Sequence, residues 1–464
     1  MSDKKQTNEL RRELSTVQLT MIAIGAIIGS GVFVLTGIGI TKVGNLAPWL
    51  YLIAGLFVLL NSVPTIISGT VLPTTGGYYK YVSRLLSPTV GYVYMWNRIL
   101  GNFALAAVVL AFGEYLQILL PTVPQNWSAV GILLVLTVLN LLKVDVLGSI
   151  NKYIVYILAV AMGLFIFFGI PNIDMSRLTS ANNTAFDAIL LTIIYYMYAL
   201  DGAPVVVNLA GECKNPRRSV PIAIGVAIIV SSLFYALICL VAVTTVDIST
   251  MQYAPLGAYA QTFMSPVVYF AFILFGALLA ITSTINASLM VLPRIMWAGA
   301  KDGIFPKVFA KLSKNGIPAV ALVFVAIIVA IPIGLGFDIS TIINIINAPG
   351  ALILLGFTFS VLTIPKKFPN LYKKSFSWLS PKVLFVLCCI TAVIQVRLSW
   401  ASFKSLDSQK LIGMAIFYGV GALYYFILRY KWKKEGKSFK TELGKYDQKW
   451  IDDEAAIAKG EDVE

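Results

Sequence analysis

Three stretches of the chain combine residue types that could do chemistry, and all three fall where plain apolar sequence is expected. The first is Gly25-Ala26-Ile27-Ile28-Gly29-Ser30-Gly31-Val32-Phe33, which sets three glycines and a serine within seven residues of a long apolar run. Glycine weakens a helix by roughly 1 kcal/mol against alanine, and in lipid each backbone group freed from its helical partner costs several kcal/mol unless something else satisfies it. A break here therefore needs a partner, and a small zwitterion would serve, its carboxylate facing the N–H groups that open the second half-helix. The second stretch, Trp96-Asn97-Arg98-Ile99-Leu100-Gly101-Asn102, puts an arginine about ten residues into a run that starts near Thr89. At a 1.5 Å rise that is roughly 15 Å deep, where a charge must face protein or water and marks a binding site unless it serves a structural ion pair. The third is Tyr198-Ala199-Leu200-Asp201-Gly202-Ala203-Pro204, with a carboxylate at similar depth beside two residues that interrupt helical hydrogen bonding.

The elements that must position these residues are membrane helices. Of 464 residues, 58% are hydrophobic and only 12% charged, and the mean hydropathy is +0.82, which excludes an ordinary soluble domain. Runs long enough to span a bilayer number twelve, over 16–41, 47–72, 89–120, 127–143, 149–170, 185–212, 220–246, 266–295, 317–336, 339–364, 381–401 and 409–429. They divide the chain into an N-terminal segment (1–15), a transmembrane domain (16–430) and a C-terminal tail (431–464). The first run is too long for a signal-peptide core and is expected to be retained.

A net charge of +14 could suggest nucleic acid, but its placement points elsewhere. With the N-terminus inside, 30 of the 36 lysines and arginines fall on inner segments and five on outer ones. This is the positive-inside pattern, with both termini cytoplasmic and the bilayer, not nucleic acid, as the partner. The tail from Lys431 is charged enough to be partly disordered. Pro73-Thr74-Thr75-Gly76-Gly77 leads into Tyr78, Tyr79 and Tyr81, a cluster suited to anchoring at the inner interface. Lys143 and Asp145 mark the inner surface between the fourth and fifth runs, and Asn344, Asn347 and Pro349 suit packing or a cavity.

Four cysteines imply no disulfide framework, and the lack of histidine removes the commonest proton relay and any His-based metal site. No phosphate-cradling loop, nucleophile elbow or metal-spaced cluster occurs, so no catalytic residue, cofactor or metal is assigned.

Two broken runs five apart, one in each half, form the pattern of a transporter built from inverted repeats. At the first break, at Asp201-Gly202, at Gly211-Glu212 with Lys214-Asn215-Pro216-Arg217-Arg218 and Pro221, and at Arg294 with Ala300-Lys301-Asp302-Gly303-Ile304-Phe305-Pro306, the sequence resembles the amino acid, polyamine and organocation transporters. The bacterial amino acid exchangers related to the arginine/agmatine and serine/threonine antiporters are the nearest in pattern. The resemblance covers residues 14–430 and implies an all-α integral membrane protein of the plasma membrane. Its fold would be that of the bacterial leucine transporters, two inverted five-helix repeats plus two further helices, with helices 1 and 6 discontinuous and a homodimer admitted.

Carried over by position, the resemblance puts the substrate carboxylate on the amides near Gly29, Ser30 and Gly31. The ammonium falls to carbonyls near Ile27, Tyr198 and Asp201, beside Gly202. Tyr198 corresponds to an aromatic gate, Asn102 to a pocket-lining asparagine and Ser288 to a residue against the substrate side chain. Three departures stand out. Ala203-Pro204 replaces an aromatic residue after the second break, Ile157-Leu158-Ala159 stands where relatives carry a lysine, and Arg98 replaces a small residue. The expected function is exchange of amino acids, or of an amino acid and its derived amine, by alternating access. The alternatives are proton- or sodium-coupled symport, with Glu114, Asp201 or Thr282-Ser283-Thr284 as candidate groups, and a channel or a non-transporting sensor of the same fold. If Arg98 and Asp201 pair, neutral substrates fit; a free Arg98 favours an acidic side chain and a free Asp201 a cationic amine.

Overall fold

The computed structural model describes residues 15–72, 77–142, 151–179, 184–204, 206–207, 213, 215–313, 316–376 and 379–459. Pro73–Gly76, Lys143, Asp145, Gly211, Glu212 and Lys214, singled out above, lie outside them. The helices in chain order are α1 (Thr16–Ile27), α2 (Ser30–Val43), α3 (Ala47–Val71), α4 (Gly77–Tyr81), α5 (Pro88–Gly101), α6 (Phe103–Leu119), α7 (Gln125–Leu141), α8 (Asn151–Gly169), α9 (Phe186–Leu200) and α10 (Pro216–Thr245). Then come α11 (Leu256–Gln261), α12 (Pro266–Ala271), α13 (Leu279–Lys301), α14 (Ala319–Gly334), α15 (Ile339–Val361), α16 (Ile364–Lys367), α17 (Pro369–Phe376), α18 (Pro381–Lys404), α19 (Ser408–Lys434), α20 (Phe439–Leu443) and α21 (Gln448–Ala458).

Among the described residues seven helices are long and apolar enough to cross a membrane, and five more are apolar but shorter. The protein is thus an all-helical, multi-pass membrane protein. Its composition dictates this, since a chain with so few polar side chains can satisfy its backbone in lipid only within helices or a closed barrel. A π-turn over Phe272–Leu278 joins α12 to α13, so that one helix runs from Pro266 to Lys301.

The centre of the bundle is held by α2, α3, α9 and α10, which pack on one another. Tyr51 of α3 stacks on Tyr196 of α9 with ring centroids 3.6 Å apart and planes at 4°. Both hydroxyls turn to Thr36 of α2: Tyr51 exchanges a hydrogen bond with its hydroxyl at 2.7 Å, and Tyr196 donates to its carbonyl at 3.3 Å. Satisfied phenols of this kind let large rings fill a core without stranding a polar group. The scaffold around both breaks is consequently fixed by tyrosines rather than by aliphatic packing alone.

Two expectations are corrected at one end of the bundle. Tyr79 and Tyr81 do not stand at an interface; both are buried, Tyr79 donating to Asp302 and Tyr81 to the Leu72 carbonyl at 2.8 Å. Nor are residues 431–459 of the tail disordered. The last apolar helix continues to Lys434, and α20 and α21 fold back onto the bundle. Trp450 is 1% exposed, stacked 5.9 Å from Tyr81 and edge-on 6.1 Å from Phe368. Asp447 pairs with Arg84, and the Glu454 carboxylate accepts from the backbone N–H groups of Asn370 and Leu371 at 2.9 Å each, capping α17. A few aromatic anchors among many charges give the tail its order, which average composition hides.

Candidate functional site

The first break is local and sharp. α1 ends at Ile27 because Ile28 turns extended (φ −69°, ψ 91°), and α2 restarts at Ser30 after an extended Gly29. Gly29 at the N-cap has no side chain with which to cap α2, so the first N–H groups of the helix lack that usual partner. Gly31 lets α2 sit on α9: a Cβ there would lie 2.6 Å from the Ala199 Cα. Gly29 faces Thr284 of α13, whose Oγ1 would be 2.9 Å from an added Cβ.

The second break follows α9. Asp201 is extended (φ −78°, ψ 118°), and Gly202 packs so tightly on the first break that an added Cβ would meet the Ala26 carbonyl oxygen at 2.3 Å and the Ile27 nitrogen at 2.9 Å. The two interruptions, 175 positions apart between Ala26 and Asp201, therefore form one place in the molecule. Tyr235 of α10 completes it by donating to the Ile27 carbonyl at 3.0 Å. Ile27 was assigned to the substrate ammonium, and the structure gives its carbonyl a protein donor, Tyr235; a carbonyl oxygen has a second lone pair with which to accept.

Two cavities back onto these breaks. One, of about 650 Å³, is bounded by α1, α8 and α13 and reaches Gly25, Ile28, Gly202, Thr284 and Ser288. The other, of about 200 Å³, lies between α3, α9, α15 and α18 and reaches Tyr198 and Asp201. The candidate residues are thus divided. Gly202 and Ser288 face the larger space and Tyr198 and Asp201 the smaller, while Arg98 and Asn102 line neither.

Asn102 instead marks a third interruption, separating α5 from α6 inside the run 89–120. It is 2% exposed, and its Nδ2 has no partner. Tyr198, the expected gate, donates to the Ala104 carbonyl at 2.9 Å and so ties the end of α9 to the start of α6. Asn347 faces the smaller cavity, whereas Asn344 serves packing by donating to the Tyr195 hydroxyl at 3.1 Å.

Arg98 and Asp201 lie within range of each other's charge yet form no ion pair within 4.0 Å. The Arg98 guanidinium folds along its own helix, with Nη1 3.7 Å from the place of a Cβ on Gly101. Sequence reasoning missed Tyr235 and Gln395. Neither carries a local signal, since one is among 22 tyrosines and the other sits in an unbroken apolar run.

Apolar helices that stop and restart against one another, with cavities at the stops, define a membrane permease. The chain belongs to the amino acid permease family, which matches it over residues 18–442. It is 25% identical to the methylthioribose transporter of Bacillus subtilis (strain 168), a match covering 92% of this chain and 95% of that protein. The histidine permease HisP of Lactococcus lactis subsp. cremoris (strain MG1363) is 26% identical over 94% of this chain and 98% of its own length. With the gamma-aminobutyric acid permease of Bacillus subtilis (strain 168) the identity is 25%, over 90% of this chain and 94% of the relative.

Proposed function

We propose that the protein exchanges amino acids, or an amino acid and its derived amine, across the plasma membrane by alternating access around the paired breaks. The observation that carries this reading is the contact of Gly202 with Ala26 and Ile27, beside a half-helix whose first N–H groups have no side-chain cap. A substrate carboxylate would take those N–H groups, near Gly29, Ser30 and Gly31, and its ammonium would take carbonyls near Ile27, Tyr198 and Asp201. The same reading has twelve spans in two inverted five-helix repeats plus two helices, both termini cytoplasmic, Tyr198 as the gate, Asn102 lining the pocket and Ser288 facing the substrate from α13.

An empty site leaves the half-helix ends uncompensated, so the unloaded carrier returns slowly and only the loaded one crosses readily. Reconstitution with labelled amino acids tests this. Uptake is expected to need internal substrate, and equal uptake into empty vesicles would overturn exchange. A second reading, ion-coupled symport, is favoured by Ser283 and Thr284 at the cavity of the first break. It predicts accumulation in empty vesicles under an imposed sodium or proton gradient.

A further inference from the structure

The smaller cavity has an unbalanced set of polar groups. Asp201 opens onto it at the end of α9, deep in the bundle but accessible because the surface it shows is cavity wall. Among the described residues its carboxylate accepts no hydrogen bond and joins no ion pair. The polar groups around it are occupied elsewhere. The Tyr198 hydroxyl donates to Ala104 and the Asn347 amide to the Ile343 carbonyl at 3.0 Å, while the Tyr78 hydroxyl accepts from Thr65 at 3.1 Å. Arg98, the nearest cation acting on Asp201, does not line the cavity.

Gln395 of α18 adds an independent sign. It is 2% exposed, and its Nε2 donates to Asn61 at 3.3 Å and to Thr358 at 3.4 Å. Among the described residues its Oε1 has no partner. A buried acceptor left unmade costs about 1–3 kcal/mol, so its retention in the wall of the cavity that Asp201 also lines calls for a donor. The cavity thus offers spare acceptors at a negative centre, with no protein donor on the Asp201 carboxylate among the described residues.

Between these groups Val58, Ile194, Met197, Leu354 and Leu398 supply apolar wall. Among the described residues no group of three or more His, Cys, Asp or Glu side chains is placed to hold a metal ion. An alkylammonium group fits on both counts, its N–H donors meeting the acceptors and its methylenes the apolar wall.

We propose that this cavity binds a primary alkylammonium group, with Asp201 as counter-ion and Gln395 Oε1 as second acceptor. The inference rests on the exchange reading in so far as the ammonium arrives as the side chain of a transported amino acid; a free amine would satisfy the same chemistry. Asp201 and Gln395 would then give the carrier a preference for basic over neutral substrates.

The test uses full-length protein in vesicles loaded with mixed amino acids, with labelled lysine or norleucine supplied outside. Lysine is expected to reach half-saturation at a concentration at least about tenfold lower than norleucine, and Asp201→Asn to erase that ratio while Asp201→Glu keeps part of it. Gln395→Leu should reduce the ratio about threefold. Competition by butylamine but not by butanol identifies a free amine as sufficient; competition by lysine alone identifies the side chain as the source. Thermal unfolding of the purified protein with butylamine or butanol reads the cavity without transport. A rise with butylamine that Asp201→Asn removes supports the site even if no amino acid is exchanged, an outcome that would sink the exchange reading alone. Equal handling of lysine and norleucine, with no butylamine stabilisation, overturns the cavity proposal and leaves exchange standing.

Discussion

The two breaks touch, yet they are built from opposite materials. At Ile28–Gly29 the break itself is backbone: a half-helix opened by a glycine, a carbonyl held by Tyr235, and glycines that bring α9 and α13 close. At Asp201–Pro204 the distinctive group is a side chain, a carboxylate set over a cavity. Backbone amides are the same in every protein and suit what all amino acids share. A single carboxylate can discriminate between ligands, because its worth depends on what carries charge opposite it. On the exchange reading, joining the two puts common recognition and selective recognition within one contact.

The sharpest way to break this comparison is to separate its halves. Gly202→Val would push a side chain into the Ala26 carbonyl oxygen, where neither backbone can yield. Overpacking of this kind costs about 1–3 kcal/mol or more. Complete loss of exchange is expected, with a lowered midpoint in thermal unfolding. Trp450→Ala supplies the contrast, since it empties a buried site remote from both breaks. It should cost up to about 3–5 kcal/mol of the docking of the tail, read as faster proteolysis after Lys437, while half-saturation stays as in the wild type.

Tyr235→Phe acts on the backbone half alone. Losing the bond to the Ile27 carbonyl costs about 1–3 kcal/mol. Half-saturation is expected to rise by a similar factor for every amino acid in a panel, acidic, neutral or basic; a change confined to one class would assign selectivity to the first break after all. The smallest effect is expected from Tyr198→Phe, which removes one hydrogen bond to Ala104 worth about 1 kcal/mol and should alter the rate of exchange more than the order of substrate preference.

Much of this was legible in the chain because it is written locally. Three glycines and a serine in seven residues announce a break wherever they fall in a long apolar run, and Asp201-Gly202 with Pro204 announces another. What the spacing does not carry is partnership. Gly202 looks like any helix breaker until Ala26 is set against it, and Tyr235 and Gln395 matter only through atoms contributed by α1 and α3. The charged tail misleads for the same reason, as Trp450 and Glu454 find their places on Tyr81, Phe368 and α17, segments about 80 residues or more away. Arg98 shows the converse. Its depth was readable, but whether it pairs with Asp201 depends on a rotamer along α5.

The seat of Trp450 also sets an order of events. Its walls, Tyr81 and Phe368, are synthesised long before the ring that fills the space between them. Until residues 447–454 emerge, Arg84 has no carboxylate and the first amides of α17 have no cap. Chains halted before residue 447 would carry an open aromatic slot at one end of an otherwise assembled bundle, the kind of exposed apolar surface by which unfinished proteins are recognised and removed.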